Sequence, residues 1–165
     1  MSRATNPVYT VYFRRRREGK TNFAKRAGLI KGGKPRMVVR KSNRGFIIQF
    51  VEYDQIGDKI IASANRASLK KSTGWQSKRN SYSAYLCGML AASYAKKKKV
   101  SDFVLDIGMY TPSKGSVVFA ALKGAVDAGL KTTFDESLVP SEKLSNVPEA
   151  LKAQFEQAKK KILES

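Results

Sequence analysis

The sequence predicts a mixed α/β fold: a β-meander followed by an α-β-α run, with a basic N-terminal arm and a C-terminal helical extension. Three observations predict it. Between residues 36 and 64 the apolar pattern follows short β-rich runs separated by turn residues. Beyond Trp75 it follows helical spacing, interrupted by one short apolar run near residue 105. The charge is uneven: residues 1–45 hold 14 basic residues against one acidic, whereas residues 101–165 hold 8 against 9. The chain therefore divides into an arm with a short helix (1–30), an α/β core (31–130) and an extension ending in a helix (131–165).

Each element has its own signal. Arg14 to Arg17 form a block of like charges, expected to be extended or disordered until a counter-charge arrives. Tyr9, Tyr12 and Phe13 interleave aromatic rings with it. A short helix is expected from Thr21, as N-cap, to about Ile30, with Gly32 and Gly33 ending it. Arg36–Lys41 reads as a strand, Ser42 to Gly45 as a turn, and Phe46–Tyr53 as a second strand. Gln55 to Asp58 turn into a third strand near Lys59–Ala64. Tyr82, Tyr85, Leu86, Met89, Leu90 and Tyr94 make one apolar helical stripe, closed by Lys96 to Lys99 at the negative end of the helix dipole. Phe103–Ile107 is an apolar run expected to be buried on both faces. A helix from about Gly115 to Ala128 turns Val118, Leu122, Ala125 and Val126 inward, with Gly129 just past its end. Asn146, followed by Glu149, reads as the N-cap of a last helix carrying Leu151, Phe155, Ala158 and Ile162 on one face. The helix between strands three and four permits a crossover, so the sheet is expected to be mixed.

Composition bounds the function. A net charge of +19 draws polyanions and repels further copies of the chain, so no homo-oligomer is expected. The absence of histidine and the single cysteine, Cys87, exclude Cys/His zinc sites and the usual nucleophilic triads. No apolar run approaches the roughly 18 residues that span a bilayer, and no signal-peptide core opens the chain. On charge alone nucleic acid, an anionic membrane surface and an acidic protein all remain open as partners, and a chain that stays inside the cell without spanning a membrane is the expectation.

The candidate site is basic and lies in the first 45 residues. Arg14, Arg15, Arg16 and Arg17 suit bidentate phosphate contact, and Lys25, Arg26, Lys34, Arg36, Arg40, Lys41 and Arg44 carry the charge into the folded part. A mere localisation tail would stop at the domain boundary. Strand alternation places Arg36, Val38 and Arg40 on one face, and the following turn presents Asn43 and Arg44. The competing reading is an edge strand protected by charge.

Four weaker motifs stand against this. Gly108 and Lys114 match two positions of a phosphate loop, but Ser113 replaces its second glycine and Gly115 its metal-binding hydroxyl. Asp102 and Asp106 share a strand face and are a thin basis for a magnesium-dependent nuclease. Trp75 is either a base-stacking platform or a plug under a loop. Cys87 reads as a small packing residue.

Five blocks, FRRRREGKTNFAKR, KPRMVVRKSNRG, NSYSAYLCGML, VLDIG and KGSVVFAALKGAVDAGL, resemble in order and spacing the large-subunit ribosomal protein L-eighteen family, in its archaeal form and its eukaryotic L-five relatives. The resemblance implies a ribonuclease-H-like arrangement, no catalytic activity and no cofactor. It implies a protein of the cytoplasmic ribosome's large subunit that binds 5S rRNA, touches large-subunit rRNA in the central protuberance and neighbours other large-subunit proteins. Carried over by motif, the RNA-contacting positions are Arg14 to Arg17, Lys20, Thr21, Asn22, Lys25, Arg26, Arg36, Arg40, Lys41, Asn43 and Arg44. Phe23 and Ala24 stand where relatives carry larger or aromatic residues. A DNA-binding or chromatin protein remains the generic alternative.

Overall fold

The computed structural model describes residues 6–43, 45–76 and 79–164. In chain order its elements are α1 (Arg14–Arg17), α2 (Phe23–Lys31), β1 (Arg36–Ser42), β2 (Gly45–Glu52), β3 (Lys59–Asn65), α3 (Arg66–Thr73), α4 (Ser81–Lys97), β4 (Val104–Asp106), α5 (Val117–Asp127), a 3-10 turn (Glu136–Leu138), α6 (Ser141–Ser145) and α7 (Glu149–Glu164). The strands form one mixed sheet in the order β3-β2-β1-β4, with the meander antiparallel and β4 parallel to β1. The mixed α/β fold expected from the sequence is the one observed.

Alternation along the strands divides the sheet into two faces. Met37, Val39, Ile48, Phe50, Ala62 and Ala64 point to one face and are buried there with Leu86, Leu90 and Leu122. The other face carries the cross-strand rows Arg36–Val51–Ile60, Val38–Gln49–Ser63 and Arg40–Ile47–Asn65. On that open face Ile47 and Ile60 are about half exposed, at 46% and 54%.

The helical layer is tighter than a single stripe implies. In α4 the small residues Ala84, Cys87, Gly88, Ala91, Ala92 and Ala95 are as buried as the large ones. The sheet, α5 and α7 all touch this helix, so it is enclosed rather than one-sided. Tyr82 and Tyr94, placed in the expected stripe, are only half-buried. Trp75 is a plug: it is 2% exposed, and its indole N–H donates to the Ser83 hydroxyl at 2.8 Å. Phe155 of α7 closes the same pocket against Trp75, Tyr82 and Tyr85. Cys87 is buried, and burial pushes its thiol up to about 12.

Several boundaries differ from expectation, each for a local reason. Asn22, not Thr21, caps α2, accepting from the Lys25 N–H at 3.0 Å. The arginine block is neither extended nor disordered: Arg14–Arg17 make one helical turn, with Glu18 3.8 Å from Arg14 supplying a counter-charge within the chain. The short run around β4 lies at the sheet edge, so Val104 and Leu105 are half-buried instead of enclosed on both faces. Asn146 ends α6, and the Pro148 carbonyl accepts the first α7 bonds, from Leu151 and Lys152. Val126 is half-buried, whereas Val118, Leu122 and Ala125 face inward as expected. Helix α3 has no sequence-based counterpart; the Asn65 side chain caps it through the Ser68 N–H, and Gly74 (φ 79°) ends it.

Candidate nucleic-acid interface

The arm and α2 lie over the open sheet face and enclose with it a cleft of about 830 Å³. Arg15, Lys20, Thr21, Asn22, Lys25 and Arg26 line one wall; Arg36, Arg40 and Gln49 line the sheet side. Nothing in α1 or α2 is fully buried. Docking of this segment therefore depends on a few half-buried apolar contacts and on charge.

A chain of ion pairs supplies the charge. Asp58, in the turn before β3, bonds Arg26 of α2 at 2.9 Å and Arg36 of β1 at 2.6 Å. The second arm of the Arg36 guanidinium bonds Asp106 at 2.9 Å, and Arg40 reaches the other Asp106 oxygen at 3.3 Å. Four segments distant in sequence are thus tied through alternating charges. For Asp58, burial raises the carboxyl pKa, but the hydrogen bond and charge of Arg36, with Arg26, outweigh it and hold the group below its usual 3.8.

The sequence-selected residues fall into three groups. The first is exposed: Arg14, Arg16, Arg17, Lys41 and Asn43, with Lys20 and Lys25 exposed on the wall of the cleft. Within it, Arg16 stacks over the Tyr12 ring at 4.4 Å, and Lys41 lies 4.5 Å from the centre of the Tyr110 ring. Lys20 pairs with Glu18 at 2.7 Å, and that hydrogen bond is the main cause lowering the Glu18 carboxyl. A second group is occupied in holding the arm's shape. Arg15 donates to the Thr21 hydroxyl at 2.8 Å, and Asn22 caps α2. The third group faces inward. Arg36 is 3% exposed and fully engaged by carboxylates, so the alternation correctly put it on the open face, but that face is not uniformly basic. Arg26 is half-buried, with an Nε that finds no partner. Arg40 keeps part of its guanidinium in solvent while bonding the Val39 and Asp106 carbonyls. Arg44 lies outside the described residues.

The weaker motifs dissolve into this scaffold. Asp106 is neutralised by two arginines and also accepts from the Gly108 N–H at 2.8 Å. Among the described residues no group of three or more acidic, histidine or cysteine side chains could hold a metal ion. Gly108 is glycine for a backbone reason: its φ is +65°, and a Cβ there would sit 3.0 Å from the Arg40 guanidinium carbon. Two contributors escaped the sequence reading. In the sequence Asp58 signals only a turn, and Tyr110, whose hydroxyl donates to the Lys41 carbonyl at 3.0 Å, carries no charge signal.

Comparison with known proteins decides the family. The model described as "Ribosomal large subunit proteins 60S L5, and 50S L18" matches residues 8–103 and 93–135. The chain belongs to this family. It is 48% identical over 139 residues to the large ribosomal subunit protein uL18 of Methanoregula boonei, a match covering 84% of this chain and 80% of that one. It is 49% identical over 137 residues to uL18 of Aeropyrum pernix, covering 82% of this chain and 64% of that one. With uL18 of Ignicoccus hospitalis the identity is 46% over 155 residues, covering 90% and 76%. The resemblance drawn from the five blocks is therefore correct, and this uL18-family chain is a ribosomal structural protein, not an enzyme.

Proposed function

We propose that this uL18-family chain binds 5S rRNA and anchors it to large-subunit rRNA in the central protuberance. The observation that carries this reading is the convergence of the arm, α2 and the open sheet face on one basic cleft. Arg14, Arg16, Arg17, Lys20 and Lys25 meet phosphates from the outer wall. Arg15, Thr21 and Asn22 hold the arm in shape beside them. Lys41 and Asn43 extend the contact along the β1–β2 turn. Arg36 and Arg26 act through position, keeping β1, the β3 turn and α2 in register.

The chemistry suits RNA. The deep major groove of an A-form helix is too narrow for side chains, so phosphates, 2′-hydroxyls and unpaired bases carry recognition. Exposed Tyr12 and Phe13 offer stacking surfaces to such bases, and Ile47 and Ile60 offer apolar contact on the sheet. Filter binding of 5S rRNA against tRNA tests the proposal. Tighter retention of 5S rRNA at physiological salt is expected, and equal affinities would overturn it. Replacing Arg14 to Arg17 with Ala should weaken binding and flatten its salt dependence, with each lost phosphate contact lowering the log–log slope by roughly 1.

A further inference from the structure

Helices α4 and α5 end side by side in the same backbone motif, and only one of them uses glycine. At the end of α5 the Leu130 N–H donates to the Ala125 carbonyl and the Gly129 N–H to that of Val126. At the end of α4 the Val100 N–H donates to the Ala95 carbonyl and the Lys99 N–H to that of Lys96. The left-handed residue is Gly129 (φ 96°) in the first case and Lys99 (φ 63°) in the second. Lys99 is the sole non-glycine with positive φ among the described residues. A side chain is held where glycine would relieve strain.

Capping does not account for it. Lys96 already serves the helix ends, its ammonium donating to the Ala128 carbonyl at 2.7 Å. Lys97, Lys98 and Lys99 are exposed, and no described carboxylate lies within 4.0 Å of their ammonium groups. The fold brings two more exposed lysines to the same end. The Val104 N–H donates to the carbonyl of Pro35, next to Lys34, and the Phe103 N–H to that of Lys131. These lysines lie where β1 and β4 begin, and none of them lines the arm cleft on the open face.

We propose that Lys97, Lys98 and Lys99, with Lys34 and Lys131, form a second contact for an RNA phosphate backbone, separate from the one held by the arm. This rests on the chain's reading as a 5S rRNA binder, which it extends to a second RNA segment. Ammonium groups that meet no described carboxylate at this end of the fold suit a run of phosphates; Asp102, the acidic residue that bridges to Lys131 along the backbone, pairs with none of them within 4.0 Å.

The test uses the full chain, saturated with 5S rRNA, and a fluorescent RNA duplex of about 16 base pairs and arbitrary sequence, a length that presents two successive minor grooves. Anisotropy is read between about 50 and 200 mM salt. The variant Lys97→Ala/Lys98→Ala/Lys99→Ala should bind the duplex at least about tenfold more weakly, with the log–log slope lowered by about 2 to 3, while 5S rRNA binding is unchanged. Lys99→Gly should melt at a higher temperature and yet bind the duplex less tightly. Unchanged duplex binding in the triple variant overturns the second contact. So does a parallel loss of 5S rRNA, which would merge the lysines with the arm site. Failure of the 5S reading shows separately, as equal binding of 5S rRNA and tRNA by the unaltered chain; the duplex comparison then runs on the free proteins.

Discussion

A Cβ placed on Gly124 would fall on the carbonyl oxygen of Tyr85, and one placed on Gly88 on that of Ala121. The two glycines let α4 and α5 touch backbone to backbone, and neither can shift without moving a helix. Gly124→Ala is therefore expected to destabilise the protein by about 3 kcal/mol, the upper range for overpacking a rigid site, read as a lower urea midpoint at unchanged slope. Glycine matters differently beyond the ends of these helices. At Lys99 the left-handed backbone leaves room for improvement, and Lys99→Gly should raise stability by about 1 kcal/mol in the same experiment. The recurrent glycines of KGSVVFAALKGAVDAGL were visible in the sequence only as a pattern. The structure assigns separate reasons: Gly115 (φ 70°) and Gly129 turn the chain, whereas Gly124 makes room for a neighbouring helix. Arg36 shows the converse. Alternation correctly gave its face, but its burial depends on Asp58 and Asp106, 22 and 70 residues away, and no local pattern announces such partners.

At the scale of elements, α2 is the least self-sufficient. It buries no residue fully and meets the rest of the protein through half-buried Leu29 and Ile30 and the Arg26–Asp58 pair. Removing the Asp58 charge should release it and also leave Arg36 half-satisfied at 3% exposure. Asp58→Asn is expected to cost about 2 kcal/mol, as for losing a part-buried charged hydrogen bond while Arg36 keeps Asp106, and to accelerate amide exchange in residues 23–31 before the sheet. Exchange that rises equally in β1 and α2 would assign Asp58 a purely global role. The pH dependence has a definite sign. A carboxyl held below 3.8 in the folded state contributes stability that is complete above that value and is lost as pH falls through the lowered one. Asp58→Asn should flatten that acid limb. The strands and the long helices were legible because their apolar periods are long and clean. Helix α3 was not, since Leu69 is its one large apolar residue and its stability comes from the Asn65 cap, the Gly74 terminus and contact with α7.

On the scale of the whole molecule, charge and core are segregated. The continuous apolar cluster runs from Met37 in the sheet through α4 and α5 to Phe155, Ala158 and Ile162 in α7, and contains nothing from α1 or α2. The residues that give the chain its net charge therefore add little to the core, and the near-neutral C-terminal third closes it. The sequence showed both halves of this division, as the charge asymmetry and as the stripe on the last helix. It could not show that α7 lands on Trp75, because that contact joins residues 80 positions apart whose periods are unrelated. The contact provides its own probe, since Trp75 is the only tryptophan and its ring centre lies 6.1 Å from that of Phe155. If α7 shares one cooperative core with the sheet, urea unfolding followed by tryptophan fluorescence and by far-ultraviolet circular dichroism should give coincident transitions. Phe155→Ala should then shift both together, by about 3 to 4 kcal/mol, because a 4%-exposed ring leaves a cavity that three aromatic neighbours cannot fill without moving α7. A fluorescence change that precedes the dichroism change would mean that α7 detaches first, as a unit of its own. Replacing Arg14 to Arg17 with Ala should leave both curves in place, so the loss of RNA binding expected of that variant would report on contact and not on folding.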